Sequence, residues 1–190
     1  MQKKPVTSTK QCILDVLKPS ALIATQCEAG KDTDKDVTAL LEIIGTIKNV
    51  DSKVHSLALF LLDSSCRVSE ALKLQPHNID KLYRVKIEET KTKTTRIVHT
   101  HYSRESIEYM RANNVNIWSE LNRFYVYRVF KKVGLFGTFG ENKRVSVTHL
   151  IRHESALIAQ NQGFTETDTQ KIIGHKSVNS TQHYLKKKIK

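Results

Sequence analysis

Side chains that can bind anions, transfer protons or attack an electrophile stand at four separated places in the chain. Arginine offers planar, permanently charged donors that suit phosphate groups. Histidine and lysine are common acid–base groups, and tyrosine can serve as a covalent nucleophile. In chain order the candidates are Arg67 with Glu70, Lys91, His149 with Arg152, and His175 with Tyr184.

The spacing of these residues makes the set specific. His149 and Arg152 are three residues apart, so a helix would place both on one face. Arg152 precedes His175 by about 23 residues, and Tyr184 follows His175 after nine, within Thr181-Gln182-His183-Tyr184. A lone Arg-x-Ser-Glu or His-x-x-Arg motif would carry little information. All of these positions in one order are improbable by chance.

The net charge of the chain indicates a polyanionic partner. Lysine and arginine number 31 and aspartate and glutamate 19, which gives a formal net charge of +12. A cationic surface gains affinity for nucleic acid because binding releases counterions from the phosphates, and an anionic membrane surface is the second candidate. A basic protein that its charge merely keeps soluble is the simpler alternative.

Length and composition are those of one globular domain with at most an additional arm. Of the 190 residues, 39% are hydrophobic and 26% charged, which is enough to form a core without disulfides. The longest apolar run, Leu57 to Leu62, is too short to span a membrane. No apolar segment follows Lys3 and Lys4, as a secretory signal would require. We therefore expect a location in the cytoplasm or nucleoid.

The cysteines and histidines favour neither a disulfide frame nor a metal centre. Cys12, Cys27 and Cys66 are widely spaced and lack a Cys-x-x-Cys pair, which fits reduced buried thiols. His149 and His153 could suggest a zinc pair, but no glutamate follows His149 and no third ligand is evident. We expect no metal and no cofactor.

The hydrophobic pattern divides the chain into a polar arm and a mostly helical domain. Residues 1–35 are polar, with a possible helix from Ser20 to Glu28, and we interpret them as an N-terminal arm or linker. Gly163, Gly174 and Pro76 act as stop signals for helices in residues 36–190. Apolar spacing predicts these helices at 36–47, 56–62, 68–74, 103–112, 118–133, 146–162, 165–173 and 180–188.

Between residues 82 and 100 the pattern changes to alternating apolar positions rich in β-branched residues. The apolar members are Tyr83, Val85, Ile87, Ile97 and Val98. This pattern predicts a β-hairpin with a basic turn that carries Lys91, Lys93 and Arg96. The fold class is therefore α+β, mostly helical with one small antiparallel sheet.

The set of motifs, in this order, resembles the catalytic domain of the tyrosine recombinase or phage-integrase family. The resemblance covers roughly residues 36–186, and residues 36–190 would form that catalytic domain. It implies the family's fold and an enzyme that cleaves and rejoins DNA strands at a specific recombination site. It further implies double-stranded DNA as the partner, homo-oligomers up to a tetramer on that DNA, and no membrane partner.

Carried over to the matching positions, the family's pattern gives each candidate a role. The implied roles are nucleophile for Tyr184, phosphate clamp for Arg67 and Arg152, general acid for Lys91, acid–base or hydrogen-bonding support for His149 and His175, and support of the site for Glu70. Lys93 is the alternative general acid. Two guanidiniums would stabilise the charge that develops on a phosphodiester under attack. A covalent 3′-phosphotyrosine would retain the bond energy needed for rejoining.

The sequence departs from the family's pattern at a few positions. Ser65 stands where the family often has glycine, and Glu154 where serine or threonine is common. About 35 residues precede the match, where many relatives have an N-terminal DNA-binding domain, and six residues follow Tyr184. We expect either a naturally minimal recombinase, like the short fimbrial inversion enzymes, or a catalytic fragment.

Two other functions stay open on the sequence. A type IB topoisomerase-like nicking-closing enzyme would use the same chemistry but relax supercoils as a monomer, without a partner site. A non-catalytic DNA-binding regulator would keep the fold and lack the activity. The intact set of candidate residues argues against the regulator.

Overall fold

The computed structural model describes residues 33–88, 95–134 and 151–185, except 153, 154, 158, 161, 162 and 176. Within these residues the secondary structure is mostly helical, with one antiparallel sheet of two strands. This confirms the expected α+β class. None of the helices described is both long and apolar enough to cross a membrane.

Seven helices with defined ends occur in the described ranges. They are α1 (Thr33–Ile47), α2 (Ser52–Ser64), α3 (Val68–Ala71), α4 (Arg104–Asn113), α5 (Arg123–Lys132), α6 (Glu166–Ile173) and α7 (Val178–Leu185). A 3-10 helix spans Pro76–Asn78, and residues 151–152, 155–157 and 159–160 are also helical. The strands are β1 (Val85–Glu88) and β2 (Thr95–Val98), and Val85 pairs with Val98.

Polar caps set helix starts that the apolar pattern places less well. The Asp51 carboxylate accepts a hydrogen bond from the backbone N–H of Val54 at 2.9 Å, so α2 begins at Ser52 rather than at residue 56. The Thr165 hydroxyl accepts from the N–H of Asp168 at 3.1 Å and caps α6 in the same way. Each cap satisfies an N–H that the first turn of a helix leaves unpaired.

The helix predicted at 118–133 is wrong over its first five residues. Asn122 accepts a hydrogen bond from the N–H of Tyr125 at 2.8 Å, so α5 begins at Arg123. Trp118 lies in a turn and is fully buried. Its indole N–H donates to the Ser56 hydroxyl at 2.9 Å, and its ring lies 5.0 Å from that of Phe60. The apolar position at Trp118 reflects burial in the core rather than helical periodicity.

Helix ends follow the stop signals, with one correction. Gly174, at a φ of 72°, ends α6, and its N–H donates to the carbonyl of Gln170 at 2.8 Å, as predicted. The prediction of a helix at 68–74 is too long, because α3 ends at Ala71 and Pro76 begins a 3-10 helix. Helix α7 begins two residues before the predicted 180, and residues 186–190 lie outside the description.

Two apolar clusters hold the described elements together. The larger joins α1 to α5 with both strands, and Cys66 is buried within it as a free thiol, as expected. Its largest buried side chains include Trp118, Phe60, Phe130, Ile107 and Met110. In the smaller cluster Ile173 of α6 packs against Ala156 and Leu157. Cys12 and Cys27 lie outside the described residues.

Asp63 fastens the end of α2 to the start of α4. Its carboxylate accepts hydrogen bonds from the N–H groups of His101 (3.0 Å), Tyr102 (3.1 Å) and Ser103 (2.9 Å). The Ser103 hydroxyl donates a fourth at 2.6 Å. Burial raises the pKa of Asp63, and the four donors oppose that shift. The position of the segment that leads to Arg67 therefore depends on this carboxylate.

Replacing Asp63 should destabilise the fold much more than removing a single donor to it. In Asp63→Ala four partly buried donors lose their acceptor, which should lower the free energy of unfolding by about 3 kcal/mol. Ser103→Ala removes one donor and should cost about 1 kcal/mol. Urea denaturation measures both, and similar small losses in the two variants would contradict this account.

Candidate active site

Arg152 joins the segment before α3 to the C-terminal end of α6. Its side chain is buried, with 2% of the residue exposed. Nη1 donates to the carbonyl of Ser65 and Nη2 donates to the carbonyl of Ile173, both at 2.5 Å. One guanidinium thus connects three parts of the chain that are distant in sequence.

Arg67 is held at the start of α3 by Glu70. Glu70 Oε1 accepts from Arg67 Nη1 at 2.7 Å, and Oε2 accepts from the backbone N–H of Arg67 at 2.9 Å. The Glu70 side chain is 1% exposed, while that of Arg67 is 21% exposed. The buried carboxylate fixes a guanidinium that stays partly accessible to a ligand.

Ser65 has the left-handed backbone that glycine adopts without strain. Its φ is 48° and its ψ 24°, and its N–H donates to the carbonyl of Leu61 at 2.8 Å to end α2. This left-handed conformation costs a residue with a Cβ about 1 kcal/mol. The departure from the family's frequent glycine therefore keeps the backbone turn that presents the Ser65 carbonyl to Arg152.

His175 lies just beyond α6, close to both arginines. Its Nδ1 is 3.2 Å from the hydroxyl of Thr181, and its backbone N–H donates to the carbonyl of Gln170 at 3.0 Å. Burial, followed by the charges of Arg152 and Arg67, lowers the pKa of His175 to about 4. The imidazole is therefore neutral at pH 7.

Helix α7 packs on α6 within the same chain. Thr181 is fully buried beside His175, and Gln182 Nε2 donates to Glu166 Oε2 at 2.7 Å. Tyr184 lies on the last turn of α7, three residues after Thr181. The structure therefore brings Arg67, Arg152 and His175 together and places the helix that contains Tyr184 beside them.

Two predicted site residues, Lys91 and His149, lie outside the described residues, as does the alternative lysine, Lys93. The hairpin itself is confirmed, because Glu88 at the end of β1 pairs with Thr95 at the start of β2. Lys91 belongs to the connection between these two paired residues. His149 comes two residues before the helical residue 151.

Arg96 lies beside this site, and the prediction that it belongs to the hairpin turn is wrong. It lies in β2, and its Nη1 donates to the carbonyl of Ile172 at 2.5 Å, next to the carbonyl that Arg152 contacts. Burial raises the pKa of the Cys66 thiol to about 11, and the charges of Arg96 and Arg152 both oppose that rise. Both guanidiniums therefore lie near Cys66.

The described part of the site is suited to bind an anion whose oxygens gain negative charge during a reaction. The guanidiniums of Arg67 and Arg152 share the region with one buried carboxylate, Glu70, and the Arg96 guanidinium is bonded to the helix end beside them. A positive, partly desolvated environment stabilises phosphate oxygens more strongly than water does. Neutral His175 can donate or accept a proton there. In the part of the chain that is described, no three His, Cys, Asp or Glu side chains are grouped to hold a metal ion.

Comparison with known proteins identifies a family to which this chain is similar. The model of the phage integrase family matches residues 33–190. No curated protein matches the chain.

Solved structures share the fold. XerH site-specific recombinase, in a post-cleavage complex with palindromic difH substrate, has a TM-score of 0.60 at 19% identity over 81% of this chain and 48% of its own. XerA recombinase has a TM-score of 0.58 at 19% identity over 88% and 60%, respectively. A lambda integrase dimer bound to a COC′ core site has a TM-score of 0.60 at 16% identity over 77% and 45%. The expected catalytic-domain fold is thereby confirmed, and the chain spans about half the length of the first of these structures.

The stability of the protein should fall as the pH is lowered from about 6.5 towards 4. In this window the unfolded imidazole of His175 (pKa 6.5) binds a proton while the folded one (pKa about 4) does not, so protons favour unfolding. Replacing the imidazole in His175→Gln should reduce this loss, as measured by urea denaturation at pH 7 and pH 4.5. His77→Gln, at an exposed histidine, is the control. If His175→Gln shows the same pH dependence of stability as wild type, the lowered pKa of His175 in the folded protein is contradicted.

Proposed function

The chain belongs to the phage integrase family, and on that premise we propose that it is a site-specific DNA recombinase that acts through a 3′-phosphotyrosyl intermediate. The observation that carries the proposal is the convergence of Arg67, Arg152 and His175 beside the helix that contains Tyr184. Residues 36–190 would form the catalytic domain and residues 1–35 an arm.

Arg67 and Arg152 would bind the non-bridging oxygens of the scissile phosphate. The bonds to Glu70 and to the carbonyls of Ser65 and Ile173 fix the two guanidiniums before any substrate arrives. Donors fixed in advance stabilise a transition state without reorganisation during the reaction. Guanidiniums would thus supply the positive charge that other phosphoryl-transfer enzymes take from divalent ions.

Tyr184 would attack the phosphate from within its own subunit. The contacts of Thr181 with His175 and of Gln182 with Glu166 attach α7 to α6 of the same chain, which supports attack in cis. The phenol, with an ordinary pKa of about 10, must lose a proton in order to attack.

The remaining proton transfers would fall to Lys91 and the histidines. We propose Lys91 as the general acid that protonates the departing 5′-oxygen, with His149 as a further acid–base group. His175, neutral at pH 7, would donate a hydrogen bond to the reacting groups or accept one from them. The 3′-phosphotyrosine would then react with a new 5′-hydroxyl and rejoin the strand.

The outer face of α5 would contact DNA. Its exposed residues are Arg123, Phe124, Tyr127, Arg128, Lys131 and Lys132, and the helix carries no acidic residue. Phe124 is 72% exposed, with the Arg123 guanidinium 5.5 Å from its ring centre. Exposed cations interleaved with aromatic rings suit a phosphate backbone and bases.

The proposed partner is double-stranded DNA with a specific recombination site, bound by homo-oligomers up to a tetramer. The XerH structure contains palindromic difH substrate, and the lambda integrase structure is a dimer bound to a COC′ core site. The charge of +12 supports a nucleic acid partner for this chain. Action on chromosomal or mobile-element DNA would place the protein in the cytoplasm, at the nucleoid.

Tyr184→Phe should abolish the covalent protein–DNA adduct and leave DNA affinity within about threefold of wild type. The change deletes the nucleophilic hydroxyl and keeps the cationic surface. Denaturing electrophoresis after incubation with a library of labelled duplexes measures the adduct, and recombination of two copies of the selected site measures rejoining. Formation of the covalent adduct by Tyr184→Phe would contradict the proposal that Tyr184 is the nucleophile.

Arg67→Lys should slow cleavage by about 10²-fold or more, because lysine keeps the charge but loses the planar pair of donors. Single-turnover cleavage measures this effect, and thermal unfolding shows whether the variant is folded. EDTA should leave wild-type cleavage unchanged. Arrest of cleavage by EDTA with recovery on adding magnesium would refute catalysis by guanidiniums alone.

Removing two cations from the outer face of α5 should weaken the salt dependence of DNA binding. If Arg128 and Lys131 each contact a phosphate, the double Gln variant should lower the slope of log affinity against log salt by about 2. The matched control replaces Lys53 and Arg104, which are already paired with Glu120 and Glu108. Equal slopes in the two double variants would exclude this face from the DNA interface.

A further inference from the structure

Arg96 occupies an inward position in the hairpin, where the strand pattern calls for an apolar residue. Arg96 pairs with Ile87 and Val98 pairs with Val85, and paired residues share one face of a sheet. Ile87, Val85 and Val98 are all buried. Ile97, on the opposite face, is 61% exposed. Arg96 and Ile97 thus lie on the opposite faces from those expected for a charged and an apolar residue, while Val98 keeps the usual inward position.

A guanidinium in such a position needs hydrogen-bond acceptors, because burial of a charge is costly without them. Nε and Nη2 of Arg96 are buried, and Nη1 donates to the carbonyl of Ile172. That carbonyl belongs to the last turn of α6, where carbonyls lack a partner within the helix and the helix dipole is negative. Arg152 uses the adjacent carbonyl, that of Ile173.

We propose that Arg96 is a positioning residue that holds the lysine-bearing hairpin in register with the arginine and histidine side of the active site. The bond to Ile172 fixes β2 to the helix end that also binds Arg152 and precedes His175. Lys91 lies five residues before Arg96, in the connection between the paired residues Glu88 and Thr95. The inference rests on the proposed recombinase function and on Lys91 as its general acid.

The physical reason is the short range of proton transfer. A general acid must come within about 2.6–3.2 Å of the oxygen it protonates, and a misplacement of about 1 Å can cost 10²-fold in rate. Lys91 lies in sequence between the paired residues Glu88 and Thr95, so the placement of these strand ends limits where its ammonium can reach. Loss of the Arg96 guanidinium would weaken the attachment of β2 to α6, and we expect a less accurate placement of the acid relative to the phosphate that Arg67 and Arg152 would hold.

This role predicts a defect that depends on the leaving group. A 5′-bridging phosphorothiolate leaves readily without a proton, so it needs no general acid. Arg96→Gln should cleave ordinary DNA about 10²-fold more slowly than wild type. It should cleave the phosphorothiolate duplex and bind DNA within about threefold of wild type. Arg96→Lys, which keeps a charged donor, should recover part of the rate on ordinary DNA.

The matched control is Lys86→Gln. Lys86 is exposed on the outer face of the same sheet and pairs with Ile97, so the change removes one charge and leaves the contact with α6 intact. Wild-type rates on both substrates are expected. If Arg96→Gln is slowed equally on both substrates, or matches Lys86→Gln on ordinary DNA, the proposal is overturned.

Hydrogen exchange separates this proposal from the proposed function. If the wild-type protein forms no adduct on either substrate, the recombinase assignment fails. The contact is then tested by amide exchange in peptides that contain β1, β2 and the end of α6. Faster exchange in Arg96→Gln than in Lys86→Gln supports the proposal that Arg96 holds the hairpin to α6. Equal exchange in the two variants overturns that proposal.

Discussion

The C-terminal end of α6 is the point on which the site depends. Two successive carbonyls there, those of Ile172 and Ile173, accept hydrogen bonds from the guanidiniums of Arg96 and Arg152. The last carbonyls of any helix need partners from outside it, and cationic donors suit them because the helix dipole is negative at this end. One helix end thereby sets the relative positions of the hairpin, the helical residues from 151 and the chain that continues to His175.

The arginines are fixed in two different ways. A buried carboxylate, Glu70, holds Arg67, while backbone carbonyls, which carry no formal charge, orient Arg152. Asp63 lies four residues before Arg67 and fastens the end of α2 through four donors. The left-handed backbone of Ser65 then turns its carbonyl towards Arg152. Local backbone geometry and a few buried polar contacts thus fix the site before a ligand binds.

The features that could be predicted from the sequence are those that depend on local spacing and residue type. The fold class, the hairpin and the stop at Gly174 are confirmed, and Arg67, Arg152 and His175 lie together as their motifs suggest. Trp118 was misplaced because an apolar residue in a core turn has the same spacing as one in a helix. The position of Arg96 was missed because it depends on strand register and on a contact 76 residues away. The catalytic roles, including those of Lys91 and His149, stay predictions.

A crystal structure of Tyr184→Phe bound to its own DNA site tests the central claim most directly. The account predicts the scissile phosphate within hydrogen-bond distance of the Arg67 and Arg152 guanidiniums, with Arg96 and Arg152 still bonded to the end of α6. A phosphate bound elsewhere on the surface, or arginines that leave the α6 carbonyls when DNA binds, would contradict it.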